Sequence, residues 1–206
     1  LVMLVYTTQI TLKEYLSPLK TEGKTIGLVP TMGAIHDGHL SLMKLALDQN
    51  DVVVVSIFVN PTQFNNANDL EKYPRTLEKD VKLIESLSDK IIIFAPSVHD
   101  IYEDNAVADV FKYDGLENQM EGANRPGHFN GVGTIVKKLF EISEADKAYF
   151  GEKDFQQLQI VRNMTSQFNL PVEIIGVPIF RQEDGLAMSS RNELLSTEAK
   201  KEATLI

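Results

Sequence analysis

The chain predicts an α/β domain built on a parallel sheet. Three observations carry that expectation. Apolar runs of strand length alternate with segments of helical period along its 206 residues, the pattern of repeated βαβ units. One run, Asp51 to Val59, is apolar on both faces, as a strand covered by helices on both sides must be. The segment Pro30 to His39 joins a strand to a helix through a turn rich in glycine and histidine, the place where a parallel strand delivers a ligand site.

In chain order, residues 25–30 read as a first inner strand, 39–50 as a helix and 51–59 as the central strand. A polar loop over 60–73 precedes an amphipathic helix at 75–88, with Leu77, Val81, Ile84 and Leu87 at helical spacing. Residues 91–95 form a strand stopped by Pro96. The stretch 97–130, rich in Asp, Asn and Gly, reads as an irregular excursion over the sheet. A helix at 131–142, a strand at 146–150, a helix at 153–168 and a strand at 172–177 follow. From about residue 179 the chain holds a turn and a last helix capped near Ser196.

Composition excludes several function classes. There is no cysteine, so disulfides, thiolate catalysis and cysteine-ligated zinc are out, and a reducing cytoplasm is the compatible setting. No apolar run reaches the roughly 20 residues that cross a bilayer, and the N-terminus does not read as a secretory leader. The formal net charge is −9, a poor basis for general nucleic-acid binding. An anionic ligand then needs a local basic pocket, with Arg125, His128, Lys153, Arg181 and Arg191 as candidates.

His36 and His39, three apart at a helix start, can face one way. Gly38 between them admits close approach, and free N–H groups with the helix dipole favour an anion. A capped turn with two surface histidines is the plain alternative for a bare H-x-G-H; the strand before it and the helix after it favour the ligand reading. Asn60-Pro61-Thr62-Gln63-Phe64 offers neutral amides, or simply a turn. Arg125 to Val132 enters a helix, as does Gly151 to Leu158, where Lys153 can reach a phosphate and Asp154 can cap the helix or meet a hydrated metal. Gln157 lies one turn on. Gly185 to Asn192 places two hydroxyls and a guanidinium after a glycine, suited to closing on phosphate. No G-x-S-x-G elbow and no Walker sequence occur, which leaves attack on the α-phosphate of ATP as the natural chemistry.

The segments PTMGAIHDGH, NPTQF, YPRT, RPGHF, FGEKDFQQL and DGLAMSSRN, in this order, resemble the pantoate–β-alanine ligase family from about residue 10 to 206. The resemblance implies a Rossmann-like parallel sheet flanked by helices, spanning residues 1–178, and the start of a small C-terminal lid domain over 179–206; family chains usually continue beyond this point. It implies a cytoplasmic homodimer whose substrates are ATP with Mg²⁺, pantoate and β-alanine, joined through a pantoyl adenylate, with no nucleic-acid or membrane partner.

By position, Met32, Gly33, Ala34, Ile35, His36, Asp37, Gly38 and His39 would hold ATP, with His39 as proton donor and His36 assisting. Gly151, Glu152, Lys153 and Asp154 would also bind ATP, Lys153 acting on the phosphates, and Phe180 marks a further contact. Met188, Ser189, Ser190 and Arg191 would close over the triphosphate. Gln63 and Gln157 would grip pantoate, Gln63 also lying toward β-alanine. Asp80 is the candidate magnesium holder. Two other readings compete: a nucleotidyltransferase that stops after joining a nucleotide to a phosphorylated acceptor, which needs a second cationic pocket, and a binding module without activity. The SSRN segment lacks the lysines of a KMSKS loop, against a tRNA-charging role.

Overall fold

The strands Ile26–Thr31 and Val52–Ile57 lie side by side because both are apolar on two faces, and only the centre of a helix-covered sheet buries such strands. The computed structural model describes residues 4–204, so the outer ends of the two predicted regions, 1–3 and 205–206, lie outside the described residues. The elements run β1 (Leu4–Tyr6), α1 (Gln9–Thr21), β2 (Ile26–Thr31), α2 (Asp37–Gln49), β3 (Val52–Ile57), α3 (Ala67–Lys72), α4 (Leu77–Leu87), β4 (Ile91–Phe94) and α5 (Val98–Tyr102). They continue with α6 (Met120–Asn124), α7 (His128–Ser143), β5 (Lys147–Gly151), α8 (Phe155–Gln167), β6 (Glu173–Val177) and α9 (Thr197–Ala203). The six strands form one sheet in the order β1-β4-β3-β2-β5-β6, with every pairing parallel.

Alternation along each strand divides two cores. Leu28, Val54, Ile92, Phe94, Ala148 and Phe150 face one layer with Leu12 and Leu16 of α1, Leu139 and Phe140 of α7 and Val161 of α8. Val29, Val53, Val55, Ile91, Ile93 and Tyr149 face the other, with Leu40, Met43 and Ala46 of α2 and Ile84 of α4. From β2 the chain moves outward through β3 and β4 on one side, then returns to lay β5 on the other. Such a reversal opens a crevice beyond the carboxyl ends of the two strands. At the opposite end, the Asp146 carboxylate accepts the Ile26 N–H (2.7 Å) and an ion pair from Lys20 (2.9 Å), tying β2, β5 and α1 together.

The structure adds elements that periodicity left unread. β1 is three residues at the sheet edge, too short for a pattern. In α1, Thr8 caps the start and Pro18 interrupts the helical sequence, yet Leu12 and Leu16 are buried. The polar loop after β3 contains a 3₁₀ turn, Pro61–Gln63, and α3, capped by Asn66. The excursion 97–130 holds α5, α6 and a further 3₁₀ turn, Leu116–Asn118. α7 begins at His128, ahead of the expected start at residue 131. Its Gly131 and Gly133, which read as weak helix formers, are contact points: a methyl group on either would collide, with the Thr62 carbonyl and the Tyr113 hydroxyl respectively. Past β6, Gln182 N–H bonds the Leu186 carbonyl (2.8 Å) and Arg181 bridges Ala187 in a small hairpin turned at Gly185. Ser196 caps α9 as expected.

Leu12→Ala tests whether α1 belongs to the core. Leu12 is fully buried, so the change should cost about 2–5 kcal/mol of unfolding free energy, measured by urea denaturation; a loss below about 0.5 kcal/mol would detach α1 from the fold.

Candidate functional site

The turn from β2 to α2 is held almost entirely by side chains. Gly33 and Ala34 both take left-handed backbone angles (φ 86° and 51°), so this turn needs support beyond its own sequence. Each successive N–H has a specific partner. Gly33 N–H bonds the Thr31 hydroxyl (3.2 Å), which itself donates to the Ser56 carbonyl (2.7 Å). Ala34 N–H and Ile35 N–H bond the two carboxylate oxygens of Asp80 (3.1 and 2.8 Å). His36 N–H bonds Nδ1 of His39 (3.3 Å). The expected cradle of free N–H groups therefore shrinks to the first turn of α2 itself, at Asp37 and Gly38.

Because Nδ1 of His39 accepts a backbone N–H, its proton sits on Nε2 in the neutral ring. Burial, with His36 and Lys153 nearby, lowers the His39 pKa to about 3, while His39 keeps part of its surface open to the cavity it lines. His39 is thus a neutral N–H donor at ordinary pH. Burial first, and then Lys153, lowers the His36 pKa as well, against Asp37 and Asp154. The two rings lie 4.0 Å apart. A methyl group on Gly38 would sit 2.9 Å from the His36 ring and 3.3 Å from Met188, so glycine there lets the C-terminal hairpin rest on the histidine turn.

A cavity of about 240 Å³ fills the crevice between β2 and β5. Met32, His36, Gly38, His39, Gln63, Gly151, Lys153, Asp154, Gln157, Phe180, Met188, Ser189, Ser190 and Arg191 all line it. These residues come from segments scattered between Met32 and Arg191, and the sheet reversal brings them together. Gly33, Ala34, Ile35, Asp37 and Glu152 do not line it: the first three shape the turn, with Ile35 in the core, and Asp37 and Glu152 are exposed. Asp154 does not cap α8 through its side chain; it pairs with Lys153 at 3.2 Å.

Asp80 requires the main correction. It is 2% exposed, its oxygens are taken by Ala34, Ile35 and the Thr76 hydroxyl, and it does not line the cavity. The carboxylate is committed to clamping the turn and lies behind the cavity rather than on its lining, where the magnesium of a bound nucleotide would be met. Arg181, a candidate for the basic pocket, instead donates to the Gly185 carbonyl (2.8 Å) within its hairpin. Arg125 and His128 line the cavity, but both donate to the Gln63 carbonyl (3.3 and 2.8 Å), and Arg125 also pairs with Glu121. They brace the segment that carries Gln63.

The Gln63 side chain is itself engaged. Its oxygen accepts from Asn60 (3.0 Å), and its nitrogen approaches the Met32 sulfur (3.2 Å). Asn60 donates to the Gly131 carbonyl (3.0 Å) and accepts from Tyr102 (2.7 Å), which locks the amide pair against α7. Sequence reasoning missed the wall beside it, Val132, Ile135, Val136 and Leu139 of α7. Its signal is an apolar face at helical spacing, the same one a purely buried helix face gives. Tyr73 was also unassigned; it lines the cavity, hydrogen-bonds Ser190 and stands beside Arg191. The resulting site has imidazoles, Lys153 and Arg191 for phosphates, and neutral amides with an apolar wall for a small organic acid.

The comparisons with known proteins agree with one another. The pantoate-beta-alanine ligase family model matches residues 4–206. A pantothenate synthetase of Flavobacterium psychrophilum is 59% identical over 204 residues, 99% of this chain and 72% of that protein. One from Christiangramia forsetii is 55% identical with the same coverage. Among solved structures, a pantothenate synthetase of Thermus thermophilus superposes with a TM-score of 0.91 at 44% identity, over 98% of this chain and 71% of that one. The Francisella tularensis ligase, solved as a complex with beta-gamma ATP and β-alanine, gives 0.93 at 40% identity over 100% and 79%.

The depressed His39 pKa sets a pH dependence. Unfolded chains take up a proton between about pH 6.5 and 3 that the folded site refuses, so folding stability should fall as pH drops through that window. His39→Gln should reduce the proton uptake on unfolding by up to about one, measured as the pH slope of unfolding free energy; an unchanged slope would mean that His39 titrates normally in the fold.

Proposed function

The chain belongs to the pantoate-beta-alanine ligase family, and from that premise we propose that its cleft joins pantoate to β-alanine at the expense of ATP through an acyl adenylate. A pantoate carboxylate oxygen attacks the α-phosphorus, the bond to the bridging oxygen breaks, and pyrophosphate leaves. The β-alanine amine then attacks the acyl carbon; the C–O bond to AMP breaks and the amine sheds its proton. What supports this reading is that one cavity is lined both by His36, His39, Lys153 and Arg191 and by the neutral amides Gln63 and Gln157 with the apolar face of α7. The amides and the apolar face suit a hydroxylated acid with a branched carbon skeleton. A phosphorylated acceptor, which a plain nucleotidyltransferase needs, would call for a second set of uncommitted cations, and Arg125 and His128 are already bonded to the Gln63 carbonyl.

The roles follow from geometry. The Nε2–H of neutral His39 donates to a phosphate oxygen as charge develops, without first taking up a proton. Lys153 and Arg191 offset phosphate charge, and the start of α2 adds its dipole. Gln157 lines the cavity, which supports its reading as a pantoate ligand, while Gln63 is held by Asn60, which favours orientation over flexibility. Ser190 beside Tyr73 and Met188 beside Gly38 cover the phosphate side, with Ser189 between them on the cavity lining. Covering the cavity protects the mixed anhydride from water.

ATP would arrive as its magnesium complex. Among the described residues no cluster of three or more His, Cys, Asp or Glu is arranged to hold a metal. Of the two carboxylates lining the cavity, Glu121 pairs with Arg125 and the more exposed Asp154 with Lys153; Asp154 is the one that would meet the ion's water shell when Lys153 turns to the phosphates. Residues 179–206 are read as the beginning of a lid domain, and the working state as a cytoplasmic homodimer. No helix among the described residues is long and apolar enough to cross a membrane.

Pyrophosphate release from ATP-Mg²⁺ should require pantoate and become multiple-turnover, with AMP as product, only when β-alanine is added. Release without pantoate would refute the ligase reading. Gln157→Ala should raise the pantoate KM by about tenfold or more, as the loss of one or two hydrogen bonds implies; an unchanged pantoate dependence would remove its role.

A further inference from the structure

We propose that Asp80 is a positioning residue for His39, acting through the backbone of residues 34–36 and touching no substrate. It sits on the first turn of α4, 2% exposed and outside the cavity lining. One carboxylate oxygen takes the Ile35 N–H and the other the Ala34 N–H, while the Thr76 hydroxyl lies 3.2 Å from both. The clamp falls on the part of the turn where the backbone is least able to hold itself: Gly33 and Ala34 are consecutive left-handed residues, and Ala34 has no glycine freedom. The next N–H along the chain, His36, is the one that bonds Nδ1 of His39.

Carboxylate, strained turn, His36 amide and His39 ring therefore form one continuous series. Removing an acceptor frees the Ala34–Ile35 backbone, moves the His36 amide off Nδ1, and releases the constraint that keeps the His39 proton on Nε2. Close packing supports the same reading: a methyl group on Gly33 would stand 3.1 Å from the nearer Asp80 oxygen, so the turn and the carboxylate are fitted to each other. This inference rests on the reading of His39 as the donor in adenylate formation.

The test is rapid-quench measurement of pantoate-dependent pyrophosphate release, beside β-alanine attack on supplied pantoyl adenylate. Asp80→Asn keeps the size and replaces one acceptor with an NH₂ group. It should slow adenylate formation by about 10- to 100-fold, the scale of a small misplacement of a catalytic group, and leave attack on supplied adenylate within about threefold. The nitrogen-15 spectrum of the His39 ring should change from a single Nε2–H tautomer to a mixture. Thr76→Val, which loosens the carboxylate without removing it, should show the same pattern more weakly and serves if Asp80→Asn folds poorly. Asp146→Asn is the control: it loses comparable backbone and charge contacts at the other end of the sheet and should lower Tm without slowing adenylate formation.

In a double mutant with His39→Ala, Asp80→Asn should add little, because residues acting as one unit are not additive. Equal slowing of both chemical steps, full multiplication of the two effects, or an unaltered His39 tautomer would overturn the proposal. Unaltered adenylate formation in His39→Ala itself would sink the donor assignment, and this inference with it.

Discussion

Everything at the site depends on one constraint of sheet topology: the chain leaves β2 toward β3 on one side and returns to lay β5 on the other. Neighbouring parallel strands whose connections depart in opposite directions leave their carboxyl ends uncovered. The turns after β2 and β5 then become the two walls of a crevice, and whatever chemistry they carry must face across it. His36 and His39 arrive on one wall, Lys153 and Gln157 on the other. The two buried cores on either face of the sheet make the crevice rigid, because no strand can shift register without moving apolar side chains out of both layers.

Within that frame, the turn from β2 to α2 is organised by the side chains of Thr31, Asp80 and His39; Asp80, and the Ser56 carbonyl that receives the Thr31 hydroxyl, stand outside the cavity lining. Thr31, Asp80 and His39 between them satisfy the consecutive backbone N–H groups of residues 33–36. The same economy of structure recurs beside Gln63, where His128 and Arg125 hold the backbone carbonyl and Asn60 holds the side-chain oxygen. Several residues that a sequence reading places at a ligand are committed to backbone partners, Asp80 behind the cavity and Arg125 and His128 on its lining. They restrict the few groups that do face the cavity, which is how a site reaches a defined geometry without strain in the groups that react.

Electrostatics then follow from burial in a protein whose overall charge opposes its ligand. A net charge of −9 repels anions at long range, so attraction of an anion depends on local cations, and Lys153 and Arg191 line the cavity. Desolvation first, with Lys153 beside them, keeps His36 and His39 neutral. A neutral imidazole adds no positive charge of its own, but its N–H is fixed in direction by the bond at Nδ1. Direction replaces charge as the source of selectivity for a developing phosphate oxygen.

The sequence by itself determined the alternation of strands and helices, the buried central strand and the motifs that line the cavity, because each is a local pattern in which period, apolarity and turn residues agree. It did not reveal β1, α1 or the early start of α7, since an edge strand of three residues carries no period and the first turn of α7 follows directly on the left-handed Gly127, with no side-chain cap to mark it. Nor could it separate Asp80, Arg125 and His128 from residues that meet a ligand: a carboxylate, a guanidinium and an imidazole read alike whether they face a cavity or a backbone amide. Tertiary structure decided that, because the partners are set by segments distant in the chain, Asp80 meeting Ile35 across 45 positions and His128 meeting Gln63 across 65. No local pattern encodes such distances; only the closed packing of both layers on the sheet does.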